Sequence, residues 1–179
     1  MTTAIASTHL NTPVTDRDHI CGLPSAPITL VHYGDFGCPR CNEAHSIAKK
    51  LQMTLGKRLR YVFRHFPMLS VRADAHRAAE AAEASAAQDK YWEMHELLFH
   101  RQSALSDRYL RLYATQVGLD MERFNLDMML HTYSFRVYDD ILSAGRSGVH
   151  LAPAFFINDR PHQGPYRLET LLSEIEQLG

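Results

Sequence analysis

Two cysteines with two residues between them are the feature of this 179-residue chain that points most directly to chemistry. They stand in the motif Cys38-Pro39-Arg40-Cys41. In the first turn of a helix, this spacing brings the two sulfur atoms within bonding reach, so the pair can cycle between dithiol and disulfide with little backbone motion. The motif therefore predicts thiol-disulfide exchange with Cys38 and Cys41 as the reacting groups.

The two cysteines are expected to have different roles because they occupy different positions in that turn. Pro39 suits the first helical position, since it has no N–H to leave unpaired and its φ is already helical. Unpaired N–H groups at the helix start and the cation of Arg40 are expected to lower the pKa of Cys38, which makes it the attacking thiolate. Cys41, further into the helix, is expected to be more buried and to resolve the mixed disulfide.

The segments around the motif predict a strand-helix-strand unit. Residues 28–33 have the β-branched and apolar content of a buried strand. A helix follows from Pro39 to a C-terminal cap at Gly56, and residues 59–64 alternate as a second strand. Such a unit makes a right-handed crossover between parallel strands, which places the helix start beside the carboxyl end of the first strand, where functional residues collect.

The rest of the chain predicts further helices and a hairpin. Residues 71–148 have a helical pattern throughout, which predicts about four helices. Residues 154–157 return to strand, and residues 158–162 form a turn and a short continuation, as in a hairpin. Residues 168–178 predict a terminal amphipathic helix. The simplest assembly is an α/β fold in which a mixed sheet is flanked by helices and interrupted by a helical insertion.

This assembly divides the chain into three parts. Residues 1–18 are polar and aperiodic, which predicts a flexible N-terminal arm or an extended strand at a sheet edge. Residues 19–67 and 149–179 are expected to form the α/β domain together. Residues 68–148 are expected to form the all-helical insertion.

The composition excludes several classes of protein. A hydrophobic fraction of 45% and a charged fraction of 22% are typical of soluble globular domains. A net charge of -1 provides no field that would gather nucleic acid or anionic lipid, so neither partner is expected. No apolar run approaches the length of a transmembrane helix, and residues 1–18 lack the features of a signal peptide, which predicts no membrane insertion and a cytoplasmic location.

Further short motifs accompany the cysteine pair along the chain. They are Asp18-His19 with Gly22, Ala26-Pro27-Ile28-Thr29-Leu30-Val31, Tyr33-Gly34-Asp35-Phe36, Phe63-Arg64-His65-Phe66-Pro67, Trp92-Glu93-Met94-His95, Ser147-Gly148-Val149, Pro153 before Phe155-Phe156-Ile157-Asn158, and Gly164 with Tyr166. Together with the cysteine motif, and in this order, they resemble the DsbA-like thiol-disulfide oxidoreductases of the thioredoxin superfamily. The resemblance covers the chain from about residue 18 to its last residue.

The resemblance implies a thioredoxin fold interrupted by an all-helical domain, and an enzyme that exchanges disulfides with cysteine-containing proteins or low-molecular-weight thiols. It also implies a cis peptide bond before Pro153, packed against the active-site disulfide, where a substrate segment can pair as an added strand. Such an enzyme needs no metal or organic cofactor, but it does need a redox partner that regenerates the cysteine pair. The sequence leaves open whether the pair works as an oxidant or as a reductant.

Two positions depart from the family pattern. His32 stands where the family commonly has a buried Glu that is thought to help move the proton of the resolving cysteine. A neutral His32 can act as the base and a protonated one favours a thiolate, while a hydrogen-bonded core histidine is the structural alternative. Ala152, before the cis-proline, stands where Thr or Val is common, and its smaller side chain predicts looser discrimination among substrates or a changed lifetime of mixed disulfides.

Several other residues keep a structural interpretation beside a functional one. Phe36 is either ordinary packing or part of an apolar lip that binds unfolded substrates. Cys21, expected in a turn, is either an unreactive, partly buried thiol or a third redox group. His65, His95 and His150 are interpreted as structural.

Three other functions compete with catalysed exchange. On the same fold, a redox-sensing or holdase-like interaction protein would use the disulfide as a switch and would change partner affinity without turnover. A glutathione-dependent transferase or isomerase with a helical insertion would not need Cys41. A zinc-binding module would use Cys38 and Cys41 as two of four ligands, but the sequence offers no second Cys-x-x-Cys or spaced His pair to complete the site.

Overall fold

The computed structural model describes residues 5–68 and 74–178, and within them it contains five strands and seven α-helices. The strands are β1 (His19–Cys21), β2 (Ile28–Gly34), β3 (Leu59–His65), β4 (Ala154–Ile157) and β5 (Arg160–Pro161). The helices are α1 (Pro39–Leu55), α2 (Asp74–Ala86), α3 (Tyr91–His100), α4 (Asp107–Gln116), α5 (Met121–Leu130), α6 (Ser134–Arg146) and α7 (Leu168–Leu178).

The strands form one mixed sheet in the order β1-β3-β2-β4-β5. β2 and β3 are parallel with α1 as their crossover, and the other neighbouring strands are antiparallel. The predicted strand-helix-strand unit and the predicted hairpin are therefore confirmed. β2 extends past its predicted end to Gly34, where a β-carbon would lie 2.5 Å from the ring of Phe63, so only glycine fits there.

The side chains of β2 and β3 alternate between two buried faces of the sheet. We call the face that carries Leu30, Tyr61 and Phe63 the α1 face, because α1 and the aromatic side of α3 pack against it. We call the opposite face, with Val31 and Val62, the α6 face, because α6 packs there. Burial on both faces explains why these strands have nearly continuous apolar sequences rather than alternating ones.

An inserted helical segment lies between β3 and β4, as predicted, and among the described residues it contains the five helices α2–α6 where about four were predicted. α2 is rich in alanine, and its small side chains let α3, α4, α5 and α6 pack around it. The predicted helical range began at residue 71, but residues 69–73 lie outside the described residues, and α2 begins at Asp74.

Residues 5–18, for which a flexible arm or an extended edge strand was predicted, fold against the α6 face of the sheet. Ile5 and Leu10 are buried, and Ile5 forms an antiparallel bridge with Val149. Two isolated apolar residues in a polar stretch do not predict an element, but here they cover apolar sheet surface that would otherwise face water. The start of the predicted arm, residues 1–4, lies outside the described residues.

Cys21 belongs to a strand rather than to the predicted turn. β1 pairs antiparallel with β3 and places Cys21 opposite Tyr61, and the turn begins only at Gly22, with a φ of 119°. A strand of three residues is too short to show a period-two pattern, which is why the sequence did not reveal it. The thiol of Cys21 is free and partly buried, in keeping with the structural interpretation of this residue.

Candidate active site at the start of helix α1

The start of α1 forms around Cys38, which is the N-terminal capping residue and has an extended backbone. Pro39 occupies the first turn, where its fixed φ suits the helix. The carbonyl of Cys38 accepts hydrogen bonds from the N–H of Cys41 at 3.0 Å and of Asn42 at 3.2 Å, which close this turn. The chain therefore presents Cys38 at the helix tip and Cys41 deeper in the same turn.

Cys38 is partly exposed and acidic. Its pKa is lowered from 9.0 to about 6, chiefly by the hydrogen bond that the Cys41 thiol donates to its sulfur. The backbone N–H groups of Cys41 and Arg40 lower the pKa further, while partial burial and the charge of Asp35 oppose this effect. At neutral pH, Cys38 is therefore mainly a thiolate, the nucleophilic form of cysteine.

Cys41 is fully buried and remains a thiol. Burial raises the pKa of Cys41 far above its usual range, and the hydrogen bond to Cys38 and the charge of the Cys38 thiolate raise it further. A backbone N–H acts in the other direction, because the N–H of Asp35 donates to the Cys41 sulfur at 3.4 Å. One accessible thiolate beside one protected thiol is the difference that an attacking and a resolving cysteine require.

The loop before β4 brings a second segment to Cys38. The Ala152–Pro153 peptide bond is cis, and the carbonyl oxygen of Ala152 lies 4.0 Å from the Cys38 sulfur. The hydroxyl of Tyr166 donates to the carbonyl of Pro153 at 2.6 Å, which anchors the loop from the side of α7. The pairing of β4 beside β2 brings this loop to the helix start, although the two segments are far apart in the sequence.

The structure corrects the role expected of Arg40. Its side chain is exposed, and its contribution to the acidity of Cys38 comes from its backbone N–H. A guanidinium surrounded by water interacts weakly with a nearby thiolate, whereas an N–H that points at the sulfur stabilises it directly. The charge of Arg40 is therefore not among the leading causes of the lowered pKa, contrary to the prediction.

Phe36 packs in the core rather than forming an exposed lip. Its ring stacks on Phe63 with 5.3 Å between the centroids and meets Phe99 edge-on at 4.9 Å. Because the side chain is buried on the α1 face, the packing interpretation is correct and the lip interpretation is wrong. Leu151, which sequence reasoning did not select, is an exposed apolar side chain next to Ala152.

His32 is buried on the α1 face and makes a polar contact there. Its Nδ1 lies 2.8 Å from the hydroxyl of Tyr61, and its ring meets Phe155 edge-on at 4.6 Å. Burial, followed by the charge of His45, keeps the pKa of His32 well below its usual value, so the imidazole is neutral at physiological pH. Its Nε2 has no hydrogen-bond partner among the described residues. The hydrogen bond to Tyr61 fits the predicted core histidine, and the unpaired Nε2 fits the predicted proton acceptor.

Two polar side chains that were not selected from the sequence hold the loop before Cys38. Gln102 donates through Nε2 to the carbonyls of Phe36 at 2.8 Å and of Cys38 at 2.7 Å. The buried carboxylate of Asp35 accepts a hydrogen bond from the N–H of Met68 at 3.0 Å. Asp35 lies in a motif that carried the family resemblance, so the sequence contained a signal that could have identified it. Nothing in the sequence marks Gln102, because it reaches the loop from the inserted helical segment.

The alternative of a zinc site built on the two cysteines has no support from the geometry. Across residues 5–68 and 74–178, neither Cys38 nor Cys41 belongs to a group of three converging donor atoms from His, Cys, Asp or Glu. A structural zinc site needs four such ligands around one ion. The cysteine pair is therefore arranged for sulfur chemistry between its two members rather than for coordination.

Comparison with known proteins places residues 14–177 in a family model described as Thioredoxin. In sequence, the chain is 41% identical over 160 residues to the Na(+)/H(+) antiporter NhaA 3 of Salinispora tropica, a match that covers 89% of this chain and 24% of that protein. The chain thus spans about a quarter of the length of the curated relatives that it matches. Within the described parts of the chain, no helix is long and apolar enough to cross a membrane.

Two solved structures have closely similar folds. BdbD from Bacillus subtilis superimposes with a TM-score of 0.84 at 21% identity and covers 98% of each chain. The protein alpha-DsbA1 from Wolbachia pipientis superimposes with a TM-score of 0.79 at 24% identity and covers 97% of this chain and 96% of its own. At such identities the likeness establishes the fold, which is the DsbA-like thioredoxin fold that the resemblance implied.

Proposed function

Because the chain belongs to the thioredoxin family, we propose that it is a DsbA-like thiol-disulfide oxidoreductase with Cys38 and Cys41 as its redox pair. The observation that carries this proposal is an acidic, partly exposed Cys38 beside the buried thiol of Cys41 and the Ala152–Pro153 loop. A cysteine that only fills space needs no lowered pKa, whereas nucleophilic exchange uses an accessible thiolate.

In the reductive direction, the Cys38 thiolate attacks one sulfur of a substrate disulfide. The substrate S–S bond breaks as the bond to Cys38 forms, and the second substrate sulfur leaves as a thiolate that takes up a proton. Cys41 then loses its proton and attacks the Cys38 sulfur, which releases the first substrate sulfur as a thiolate. Two electrons pass to the substrate, and Cys38 and Cys41 end as a disulfide. Oxidation of a substrate dithiol is the reverse sequence.

The second step requires Cys41 to lose a proton that it holds tightly. In the mixed disulfide, Cys38 carries no charge, so the hydrogen bond and the charge that raise the pKa of Cys41 are both removed. Burial still raises this pKa, so a proton acceptor is needed. His32 is the residue that we propose for this role. Its ring is buried and neutral, its Nδ1 lies 2.8 Å from the Tyr61 hydroxyl, and its Nε2 has no hydrogen-bond partner among the described residues, so a ring nitrogen is available to take up a proton.

The pKa of Cys38 bears on the direction of exchange. A stabilised thiolate favours the reduced form and makes the disulfide a stronger oxidant. The pKa of about 6 lies between the values of about 7 for thioredoxin and about 3.5 for DsbA. We therefore expect a reduction potential between about -270 mV and about -120 mV, the values of those two proteins. Equilibration with glutathione buffers measures this potential directly.

We propose that the substrates are cysteine-containing proteins rather than small thiols alone. The Ala152 carbonyl beside Cys38 offers an extended segment a backbone acceptor, as in the addition of a strand. Leu151, which is 44% exposed, adds apolar contact area at the same place. Turnover also requires a partner that regenerates the pair with two electrons. The predicted cytoplasmic location stays a prediction.

Turnover of a peptide disulfide tests this function. The chain should reduce the peptide with glutathione as electron donor and should oxidise the matching peptide dithiol with glutathione disulfide. Cys38→Ser should abolish both reactions, while Cys21→Ser, a matched substitution of a thiol in β1, should retain them. Full activity of the Cys38 variant would contradict the proposal. Binding of partners that changes with redox state but without turnover would support the sensor alternative instead.

A further inference from the structure

Three side chains with metal-ligating atoms converge where α1 faces α3. His45 lies on α1, one turn beyond Cys41, and His95 and Glu96 are neighbours on α3. The Oε1 atom of Glu96 lies 3.3 Å from Nε2 of His45 and 4.0 Å from Nδ1 of His95. The three donor atoms all lie within 4.8 Å of one another. None of them takes part in the exchange chemistry proposed above.

These separations suit ligands that share one zinc ion. Zinc binds imidazole nitrogen and carboxylate oxygen at about 2.0 to 2.2 Å, so two ligands at a tetrahedral angle are roughly 3.3 to 3.6 Å apart. The distance from His45 to Glu96 already has this value. The distance from His95 to Glu96 needs a shift of about half an ångström, and the side chain of Glu96, which is 43% exposed, has room to make it.

A second observation, independent of these distances, is that the buried ring of His95 lacks hydrogen-bond partners in the described parts of the chain. Its side chain is fully buried, and neither ring nitrogen has a hydrogen-bond partner among the described residues. Buried imidazole nitrogens are nearly always paired, because an unpaired one loses its water without compensation. Nδ1 of His95 nevertheless faces the carboxylate of Glu96 across a gap wider than a hydrogen bond.

We propose that His45, His95 and Glu96 form a zinc site with two nitrogen ligands, one carboxylate ligand and a fourth position open to water. The exposed side of Glu96 provides the route of entry. Lys49 is the competing cation, because its Nζ forms an ion pair with Oε2 of Glu96. Zinc would join α1, which carries the cysteine pair, to α3 of the inserted helical segment.

A second group with the same types of side chain differs in its pairing. In the first group only His45 contacts Glu96 closely and both ring nitrogens of His95 are unpaired among the described residues, whereas in the second group both histidines contact the carboxylate. Nε2 of His19 and Nε2 of His65 both lie 2.8 Å from Oε1 of Glu83. This is hydrogen-bond distance and is shorter than the spacing of ligands around zinc. Each of these nitrogens already has its partner, so this group needs no metal and provides an internal control.

Zinc binding by the oxidised chain tests the proposal. Oxidation to the Cys38–Cys41 disulfide removes the thiolate ligands that would otherwise compete, and Cys21→Ser removes the remaining thiol. In this background, competition with a chromophoric chelator should show one bound zinc ion. Cobalt should give the visible absorption of a tetrahedral site, and zinc should raise the melting temperature.

Two pairs of variants assign the ligands. Glu96→Gln should weaken zinc binding by more than the roughly 10- to 100-fold that loss of an outer-shell partner costs, while Glu93→Gln, an exposed carboxylate on the same helix, should leave it unchanged. His45→Gln should weaken zinc binding by a similar factor, while His19→Gln should not. Lys49→Gln should tighten it, because a competing positive charge is removed.

The proposal is overturned if the oxidised chain binds no zinc, or if Glu96→Gln binds it as tightly as the parent. It is also overturned if His19→Gln, rather than His45→Gln, abolishes binding. Circular dichroism of each variant separates loss of a ligand from loss of the fold. Since the oxidised pair is inert in this assay, a failure here leaves the proposed exchange activity intact, and the converse also holds.

Discussion

The two faces of the sheet treat buried polar side chains differently. On the α6 face, Arg64 is buried and every N–H of its guanidinium is hydrogen-bonded. On the α1 face, His32, His45 and His95 are buried and have ring nitrogens without hydrogen-bond partners among the described residues. The acceptors around Arg64 are the carboxylate of Asp18, the hydroxyl of Tyr33 and the carbonyls of Thr12 and Pro13. The two faces belong to the same strands and bury polar groups to a similar depth.

This difference distinguishes buried polar groups that stabilise the fold from buried polar groups that can take part in chemistry. A fully paired charge fixes the position of the chain around it, and here it locks residues 12–18 onto β3. On the α1 face, within the described residues, His32 and His45 each keep one ring nitrogen unpaired and His95 keeps both, so these rings have nitrogens available for protons or metal ions. We therefore expect substitutions on the α1 face to change chemistry and substitutions on the α6 face to change stability.

The largest effect is expected from Cys41→Ala, which leaves the attacking thiol without its resolving partner. Steady-state turnover should be lost, and mixed disulfides between Cys38 and substrate should accumulate, as measured by non-reducing electrophoresis and mass spectrometry. The same variant removes the hydrogen bond that contributes most to the lowered pKa of Cys38, so this pKa should rise from about 6 towards 9.0. Turnover that survives this substitution would show that a second thiol resolves the intermediate.

On the other face, Arg64→Met should destabilise the fold without altering the chemistry. It leaves the carboxylate of Asp18, whose side chain is 6% exposed, buried without its cation. Breaking such a pair costs about 3 to 5 kcal/mol of unfolding free energy, which denaturant titration measures. Adding Asp18→Asn should recover part of the loss. If Arg64→Met lowers the unfolding free energy by less than about 1 kcal/mol, or changes the alkylation rate of Cys38 in the folded protein, the proposed difference between the two faces is contradicted.

His32→Leu tests whether the α1 face supplies a proton acceptor. Loss of a positioned base should slow the resolving step by roughly 100-fold, and the slope of its rate against pH should change. Rapid-mixing measurements follow this step after the mixed disulfide has formed. His32→Gln, which keeps polarity without basicity, is the matched control and should also be slow. Rates and pH profiles equal to those of the parent in both variants would leave His32 a purely structural residue.

The reactivity of Cys38 should follow its pKa. Since the thiolate fraction rises from about one tenth at pH 5 to about nine tenths at pH 7 for a pKa of about 6, alkylation should accelerate about ten-fold over this range and then level off. The native reduced state binds fewer protons than the unfolded chain between pH 6 and pH 9, so its stability should rise with pH across this window. Alkylation that still accelerates steeply above pH 8 would show an ordinary thiol.

The smallest effect is expected from Arg40→Gln. The backbone N–H of Arg40 contributes to the acidity of Cys38 and is retained in this variant. The exposed side-chain charge is screened by water, so the alkylation rate at pH 6 should change by less than about two-fold. A larger change would restore the role that the sequence predicted for this cation.

The local patterns of the chain predicted most of the elements near the site. β2, α1, β3 and α7 were found close to their expected bounds, because each has an apolar pattern with its own period and clear punctuation from glycine or proline. β1 and the packing of residues 5–18 were missed, because both depend on partners far away in the chain. A short strand or an isolated apolar residue has no pattern of its own.

By itself, the sequence determined the cysteine pair, its place at a helix start, the sheet that supports it and the family to which the chain belongs. Only the tertiary structure decided that the hydrogen bond from the Cys41 thiol, rather than the charge of Arg40, is the chief cause of the lowered pKa of Cys38. It also decided that Phe36 lies in the core and that Gln102 holds the loop. It also decided which buried polar groups find partners. The physical reason is that spacing along a chain specifies local geometry, whereas burial, screening and hydrogen bonding depend on which distant segments fold against each other.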